Sequence, residues 1–408
     1  MLIVLFLPSL IYAQYAYYYV NPAMSIIPPV NDARARAMGR TEILSAGGAN
    51  AMFYNPANLG FVESSSIEAG ARGLFGSVSN DEWDQDDTDN ISANYPLNLK
   101  PEQFAFVFTD HKSNSDLAAL AFGYNTFIDC ALKYKFVQEN STGSFKRVVN
   151  RRLSGGLHTL SVAAAIRCNN YFFIGVAAHK SIMSKLKSVA NFDSTPYGPT
   201  SSKKNSSEYK LSAFFMTFGT TVKPINNLTI GLYFRPQFTI TAGDYKYKNE
   251  SYNGDIYTRE SDSESKVKIP STFGASISHD LSSRILAVVE YQYRPYNDIE
   301  VGDGYYIFER FESGSSYRFG LEYRMKTPVR IGYFNEALPA ADESSYFKKL
   351  KRLNGFTAGV GFQSRYFWTD IYVEYASWKY LLDTSFASDH YYERESFFSL
   401  GATFKLKL

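Results

Sequence analysis

Sulfur and indole are scarce here: 408 residues hold two cysteines and three tryptophans. Two cysteines cannot build a disulfide scaffold or a paired-cysteine metal site. Histidine is thin as well. The five, His111, His158, His179, His279 and His390, are scattered, with no H-E-x-x-H pair. No G-x-S-x-G elbow accompanies them, so nothing points to catalysis. His158 and His179 near serines are read as lumen or turn histidines rather than as catalytic groups. Past the first residues, no apolar run approaches the ~18 residues that a spanning helix needs. Charge of one sign is missing too. The net charge is +2, which argues for neither nucleic acid nor a strongly acidic partner.

What is abundant is the aromatic ring. There are 32 Tyr and 32 Phe, and aromatics make up 16% of a chain whose mean hydropathy is −0.25. A tyrosine excess suits rings at a membrane–water boundary. The rings and other apolar side chains fall on alternate positions. Phe398, Leu400, Ala402, Phe404, Leu406 and Leu408 alternate with Ser399, Gly401, Thr403, Lys405 and Lys407. Tyr317, Phe319, Leu321 and Tyr323 do the same, as do Leu228, Ile230, Leu232 and Phe234. A strand sends successive side chains to opposite faces, so each of these segments has one greasy and one wet face. Helical spacing fits none of them.

The pattern predicts an all-β chain: a transmembrane antiparallel barrel of about fourteen strands, an even number suited to a bacterial outer-membrane barrel. The expected spans are 65–77, 102–110, 117–132, 155–167, 171–183, 208–222, 227–242, 266–279, 283–295, 315–325, 328–335, 354–365, 369–380 and 392–408. Short connections at 168–170, 224–226, 280–282, 326–327 and 366–368 alternate with long polar ones at 78–101, 133–154, 184–207, 243–265, 296–314, 336–353 and 381–391. Outer-membrane barrels have short periplasmic turns and long outer loops. This topology sets Cys130 and Cys168 at opposite ends, beyond the roughly 7 Å that a disulfide spans.

Three regions follow. Residues 1–13 read as a signal peptide, with an apolar core from Leu2 to Leu10 and a small-residue site at Ile11-Tyr12-Ala13. Residues 14–63 do not alternate and form a hatch or plug, folded into the lumen in preference to lying beneath it. Asn31-Asp32 before Ala33-Arg34-Ala35-Arg36-Ala37-Met38 reads as a capped short helix ending near Gly39. Tyr15, Tyr17, Tyr18 and Tyr19 line a ligand path or belong to a loose terminus. Residues 64–408 are the barrel.

Glu290, Arg318, Glu322, Arg324, Arg330 and Glu374 fall on polar faces of late strands. Facing one lumen, they pair with each other. Two roles fit, a ladder setting selectivity or, preferred, a network anchoring the plug. The acidic run Asp81-Glu82, Asp84, Asp86-Asp87, Asp89 could hold Ca²⁺, but a solvated loop is the simpler reading. Lys348-Lys349-Leu350-Lys351-Arg352, with Arg147, Arg151 and Arg152, lie in other outer loops and either meet lipopolysaccharide phosphates or are generic charged loops.

The N-terminal region also carries a resemblance. Asp32-Ala33-Arg34-Ala35, Met38-Gly39 and Phe53-Tyr54-Asn55-Pro56-Ala57 with Leu59 resemble the signature of the FadL-like outer-membrane channels. That superfamily includes long-chain fatty-acid transporters and the PorV-type proteins of type IX secretion. The match covers roughly residues 31–60, and Gly48 stands where fatty-acid channels often carry an acidic residue. The resemblance implies a fourteen-stranded barrel in the bacterial outer membrane, with an N-terminal hatch shaped by Gly39, Tyr54, Asn55, Pro56 and Ala57. It implies passive passage of hydrophobic small molecules by hatch movement or a lateral opening. The alternative it offers is a PorV-type barrel that holds a secreted protein. In either case the expectation is no cofactor, a lipid and lipopolysaccharide environment, and a monomer.

Overall fold

The computed structural model describes residues 30–82, 92–109, 116–130, 132–139, 146–195, 201–250, 255–262, 264–301, 311–337, 340–341, 352–383 and 390–408. The expected signal peptide, Tyr15 to Tyr19, most of the acidic first loop and Lys348 to Lys351 lie outside them.

Fourteen antiparallel staves close into one barrel. They are β1 (Ser66–Glu82), β2 (Ser92–Thr109), β3 (Leu117–Asp129, continued by Leu132–Glu139) and β4 (Lys146–Asn169). Next come β5 (Phe172–Ser181, continued by Lys185–Thr195), β6 (Ser201–Ile225) and β7 (Leu228–Arg235, continued by Phe238–Glu250). Then follow β8 (Ile256–Ser261, Ser265–Ile269 and Thr272–Asp280), β9 (Ile285–Arg294, continued by Glu300–Val301) and β10 (Gly314–Tyr323). The last four are β11 (Val329–Glu336), β12 (Leu353–Gln363), β13 (Phe367–Asp383) and β14 (His390–Lys407). The final strand pairs with the first from Ser66↔Lys407 to Glu82↔Tyr392, which removes the sheet edge. In lipid an unpaired N–H or C=O costs several kcal/mol, so only a closed sheet is tolerated.

Alternation sorts the side chains as the sequence requires. Phe398, Leu400, Phe404 and Leu406 face outward at 38–47% exposure, while Ser399 and Thr403 are buried inside. Outward rings meet across strands, with Phe106 and Phe122 centroids 4.8 Å apart and Phe234 and Phe273 4.7 Å apart. Short turns link β4–β5, β6–β7, β8–β9, β10–β11 and β12–β13, at the expected places.

The staves are taller than their apolar stripes. β1 and β2 run into 78–101, β3 and β4 into 133–154, β5 and β6 into 184–207, and β7 into 243–250, all expected as loops. The hydrophobic period is written only where lipid touches the wall. Above that band, as at Ser201 to Ser207 of β6, the sequence is polar at both parities and the backbone ladder continues beneath it. Three staves break at prolines, Pro236, Pro270 and Pro295, which have no N–H to give a ladder. Cys130 and Cys168 are both free thiols.

Candidate functional site

Two features fill the inside of the barrel. The lower one, toward the short turns, is the N-terminal segment from Val30 to Val62, nearly all of it buried against inward strand faces. Helix α1 (Ala33–Ala37) starts at Asp32, whose carboxylate accepts from Ala35 N at 2.7 Å. Burial pushes the Asp32 carboxyl above the ordinary carboxylate range, opposed by its bonds from Ala35 and Asn50. After α1 the chain turns through Gly39 and Arg40, with φ of 69° and 63°. It then enters α2 (Glu42–Ser45) and two 3₁₀ turns, Gly48–Phe53 and Pro56–Phe61.

Each residue of the expected hatch has a defined seat. Tyr54 OH accepts from Asn31 N at 2.5 Å. Asn55 caps the second 3₁₀ turn, accepting from Ala57 N at 3.2 Å, and donates through Nδ2 to Thr221 Oγ1 at 3.0 Å. Pro56 and Ala57 lie against Gly175 and Gly219, which face each other on β5 and β6. A methyl group at either glycine would overlap Asn55, Pro56 or Ala57. Gly39 N donates to Thr357 Oγ1 at 2.9 Å, and the Met38–Gly39 peptide sits where a Cβ on Gly332 would go.

Charge ties this segment to the wall. Arg40 reaches Glu374 at 2.7 Å and Glu336 at 3.0 Å, and Arg36 lies 3.5 Å from Glu374. Arg318 meets Glu290 and Glu336, each at 2.8 Å, and Glu42 at 3.4 Å. Glu290 also accepts from Ile43 N at 2.7 Å. Arg34 pairs with Glu322 at 2.9 Å, and Arg330 joins Glu322 at 2.7 Å to Asp370 at 2.6 Å. Thus Glu290, Arg318, Glu322, Arg330 and Glu374 come together inside, while Arg324 sits at the short-turn rim, bonded to Asp280 at 2.7 Å and Glu322 at 3.2 Å. The segment's own contribution, Arg34, Arg36, Arg40 and Glu42, was not singled out in the sequence, nor was Glu336. The signal for it was the Ala-Arg-Ala-Arg-Ala run, too charged for a helix that packs in a dry core unless acids await it.

The upper feature is an apolar column whose buried members stand on four staves. Phe127 and Ile128 (β3), Leu157 (β4), Tyr209, Leu211, Ala213 and Phe215 (β6), and Phe238, Ile240, Ala242 and Tyr245 (β7) form one buried cluster, with Ile269 of β8 packed on it. The Phe215 ring lies 4.4 Å from Phe127 and 4.5 Å from Phe238. His179 stacks on Phe215 and bonds Ser161 and Thr217 at 2.7 and 3.1 Å. The buried Arg235 guanidinium rests 4.7 Å over the Phe127 ring, with no carboxylate ion pair among the described residues. The sequence hides this column because its strands also carry outward apolar side chains, such as Phe214 beside the buried Phe215. Its signal was apolar character at both parities in Leu211-Ser212-Ala213-Phe214-Phe215.

Beside this column the wall changes character. β2 pairs with β3 from Thr109↔Ala119 to Gln103↔Asn125, then with its upper part only at Asn94↔Lys135 to Ser92↔Val137. Between, Tyr95–Glu102 and Thr126–Tyr134 share no ladder among the described residues.

No family model and no curated protein sequence matches the chain. Solved structures do. The toluene transporter TodX of Pseudomonas putida aligns over 92% of this chain and 98% of its own, with a TM-score of 0.58 and 12% identity. The toluene transporter TbuX of Ralstonia pickettii aligns over the same shares, with a TM-score of 0.59 and 13% identity. The monoaromatic hydrocarbon channel CymD covers 93% and 97%, with a TM-score of 0.55 and 12% identity. At such identity the likeness is one of fold. The chain has the fold of the FadL-like outer-membrane channels.

Proposed function

We propose that this protein passes hydrophobic small molecules through the bacterial outer membrane, without catalysis or a cofactor. The observation that carries this is the stacking inside the barrel of an apolar column over a charged, bonded floor. A solute leaving water gains about 25 cal/mol for each Å² of apolar surface it buries on the column. Below the column the N-terminal segment is packed on the wall by ion pairs and by a buried apolar cluster that includes Met52, Phe53 and Leu59, which leaves no such surface open to the solute. The N-terminal segment is therefore the hatch: it closes the lower lumen to water and ions, with Gly39, Tyr54, Asn55, Pro56 and Ala57 shaping it. The buried ion pairs anchor the hatch rather than select ions. The unladdered stretch between β2 and β3, next to Phe127 and Ile128, gives the solute a sideways exit to lipid.

The structural relatives carry toluene and monoaromatic hydrocarbons by their descriptions, which supports a hydrophobic cargo here. Outer-membrane lipid and lipopolysaccharide surround the wall, and one chain closes its own sheet, which suits a monomer. Equilibrium binding of a fluorescent fatty acid and of an aromatic hydrocarbon to refolded protein, together with bilayer conductance, tests the reading. Saturable binding of either ligand supports it. Absence of binding of both ligands removes it and returns the secreted-protein role to first place, and a steady ionic current removes the closed floor.

A further inference from the structure

The seam between β2 and β3 has an identifiable cause. Glu102 is an extra residue opposite the Gly70–Ala71 step of β1, and Phe127 is an extra residue opposite the His158–Leu157 step of β4. A bulge of this kind bends its strand and breaks the ladder. Here it turns Phe127 and Ile128 both into the lumen, at the level where β2 and β3 share no ladder among the described residues. Each strand keeps its other neighbour: β2 stays paired to β1 up to Val78↔Ala93, and β3 to β4 through Asp129↔Gly156 and Leu132↔Leu153.

Charge spans what the backbone leaves open. On the lumen side Asp129 of β3 accepts from both Arg72 of β1 and Lys100 of β2. Arg72 is held in turn by Glu102, Nε to Oε1 at 2.6 Å. On the lipid side Leu97 and Leu99 of β2 are exposed at 53% and 66%. The seam is thus greasy outside, ionic inside and unladdered between.

We propose that Asp129, gripped by Arg72 and Lys100, is a latch that holds this seam shut, and that its release opens the wall beside the apolar column. The inference rests on the sideways exit proposed above. Opening a laddered seam means breaking a row of backbone hydrogen bonds in lipid, each costly to leave unmade. At this one the described contacts across the seam include the Asp129 carboxylate bound to two cations, where a laddered seam would have a row of backbone bonds. All three groups face the lumen, where water can take over their hydrogen bonds, and Lys100 keeps 17% side-chain exposure there. A device with two discrete arrangements needs a contact of this kind: short, local and replaceable.

The test labels the two sides of the seam. Spin labels at Leu99→Cys on β2 and Arg152→Cys on β4 are placed in a full-length chain carrying Cys130→Ser and Cys168→Ser. Their separation is measured with Asp129 present and with Asp129→Asn. Lys100→Met serves as a milder variant that keeps the Arg72 contact, and Asp129→Glu as the charge-preserving control. Uptake of a hydrophobic fluorophore into liposomes is recorded in parallel. The latch predicts longer label separations in Asp129→Asn, a smaller shift in Lys100→Met, restoration in Asp129→Glu, and severalfold faster uptake wherever the separation grows. Unchanged separation in both disrupted variants overturns the latch. Longer separation with unchanged uptake leaves the latch standing and overturns the sideways exit.

Discussion

Arg40 Nη2 stands 2.7 Å from Glu374 Oε1, joining the turn after the first helix to the middle of the thirteenth strand. Arg40 also meets Glu336 on β11, so one side chain ties the N-terminal segment to two staves. Both carboxylates are fully buried, at 0% side-chain exposure. Removing one partner of a buried pair costs about 3–5 kcal/mol, because the other charge is left stranded. Arg40→Ala should therefore lower the thermal midpoint of the refolded protein in detergent. It should also free the segment enough to raise ionic conductance in bilayers. Unchanged conductance with a lowered midpoint would mean that the segment stays seated without this pair.

Gly175 and Gly219 make a smooth floor for Pro56 and Ala57. Gly175→Val should unseat the segment and leave the barrel itself closed, since valine suits a strand. The measurement is heat-modifiable gel mobility, expected to persist, together with trypsin cleavage after Arg34, Arg36 or Arg40, expected to become fast. Loss of heat-modifiable mobility would show that the segment is needed for the barrel to form.

Phe215 packs its ring against both Phe127 and Phe238 in the apolar column. Phe215→Ala should weaken binding of a hydrophobic ligand about tenfold, equivalent to roughly 1.4 kcal/mol. Phe214→Ala, on the lipid face at 57% exposure, should leave binding unchanged. Fluorescence titration distinguishes the two positions, and equal losses at both would argue against a lumen site.

On the outer wall, Leu400→Arg should destabilise folding into vesicles by about 2–4 kcal/mol if Leu400 lies near the bilayer midplane, and Leu406→Arg by roughly 0–1 kcal/mol nearer the interface. Equilibrium refolding in lipid vesicles measures both. Equal costs at the two positions would contradict the proposed depth of the strand.

The barrel was legible because lipid writes on it. Wherever one face meets hydrocarbon and the other meets water, the period of two survives in the sequence, as at Phe398 to Leu408. The N-cap of the first helix was legible as well, since Asp32 performs it locally. The upper wall was not, because Lys203-Lys204, Lys246 and Lys248 lie on strands that no longer touch an apolar medium. The floor was half legible. The wall's charges announced themselves on strand faces, but their partners sit on a segment without period, and only the fold brings Arg36 to Glu374 or Arg34 to Glu322. The apolar column hid for the opposite reason: its residues share strands with the lipid stripe, and two apolar faces look like none.

The account's central claim is passage of hydrophobic solutes over a floor closed to ions. Liposomes carrying the full-length protein should take up a hydrophobic fluorophore faster than protein-free liposomes, while the same preparation in planar bilayers carries no steady ionic current. A steady current without accelerated uptake, or uptake no faster than in protein-free liposomes, would contradict it.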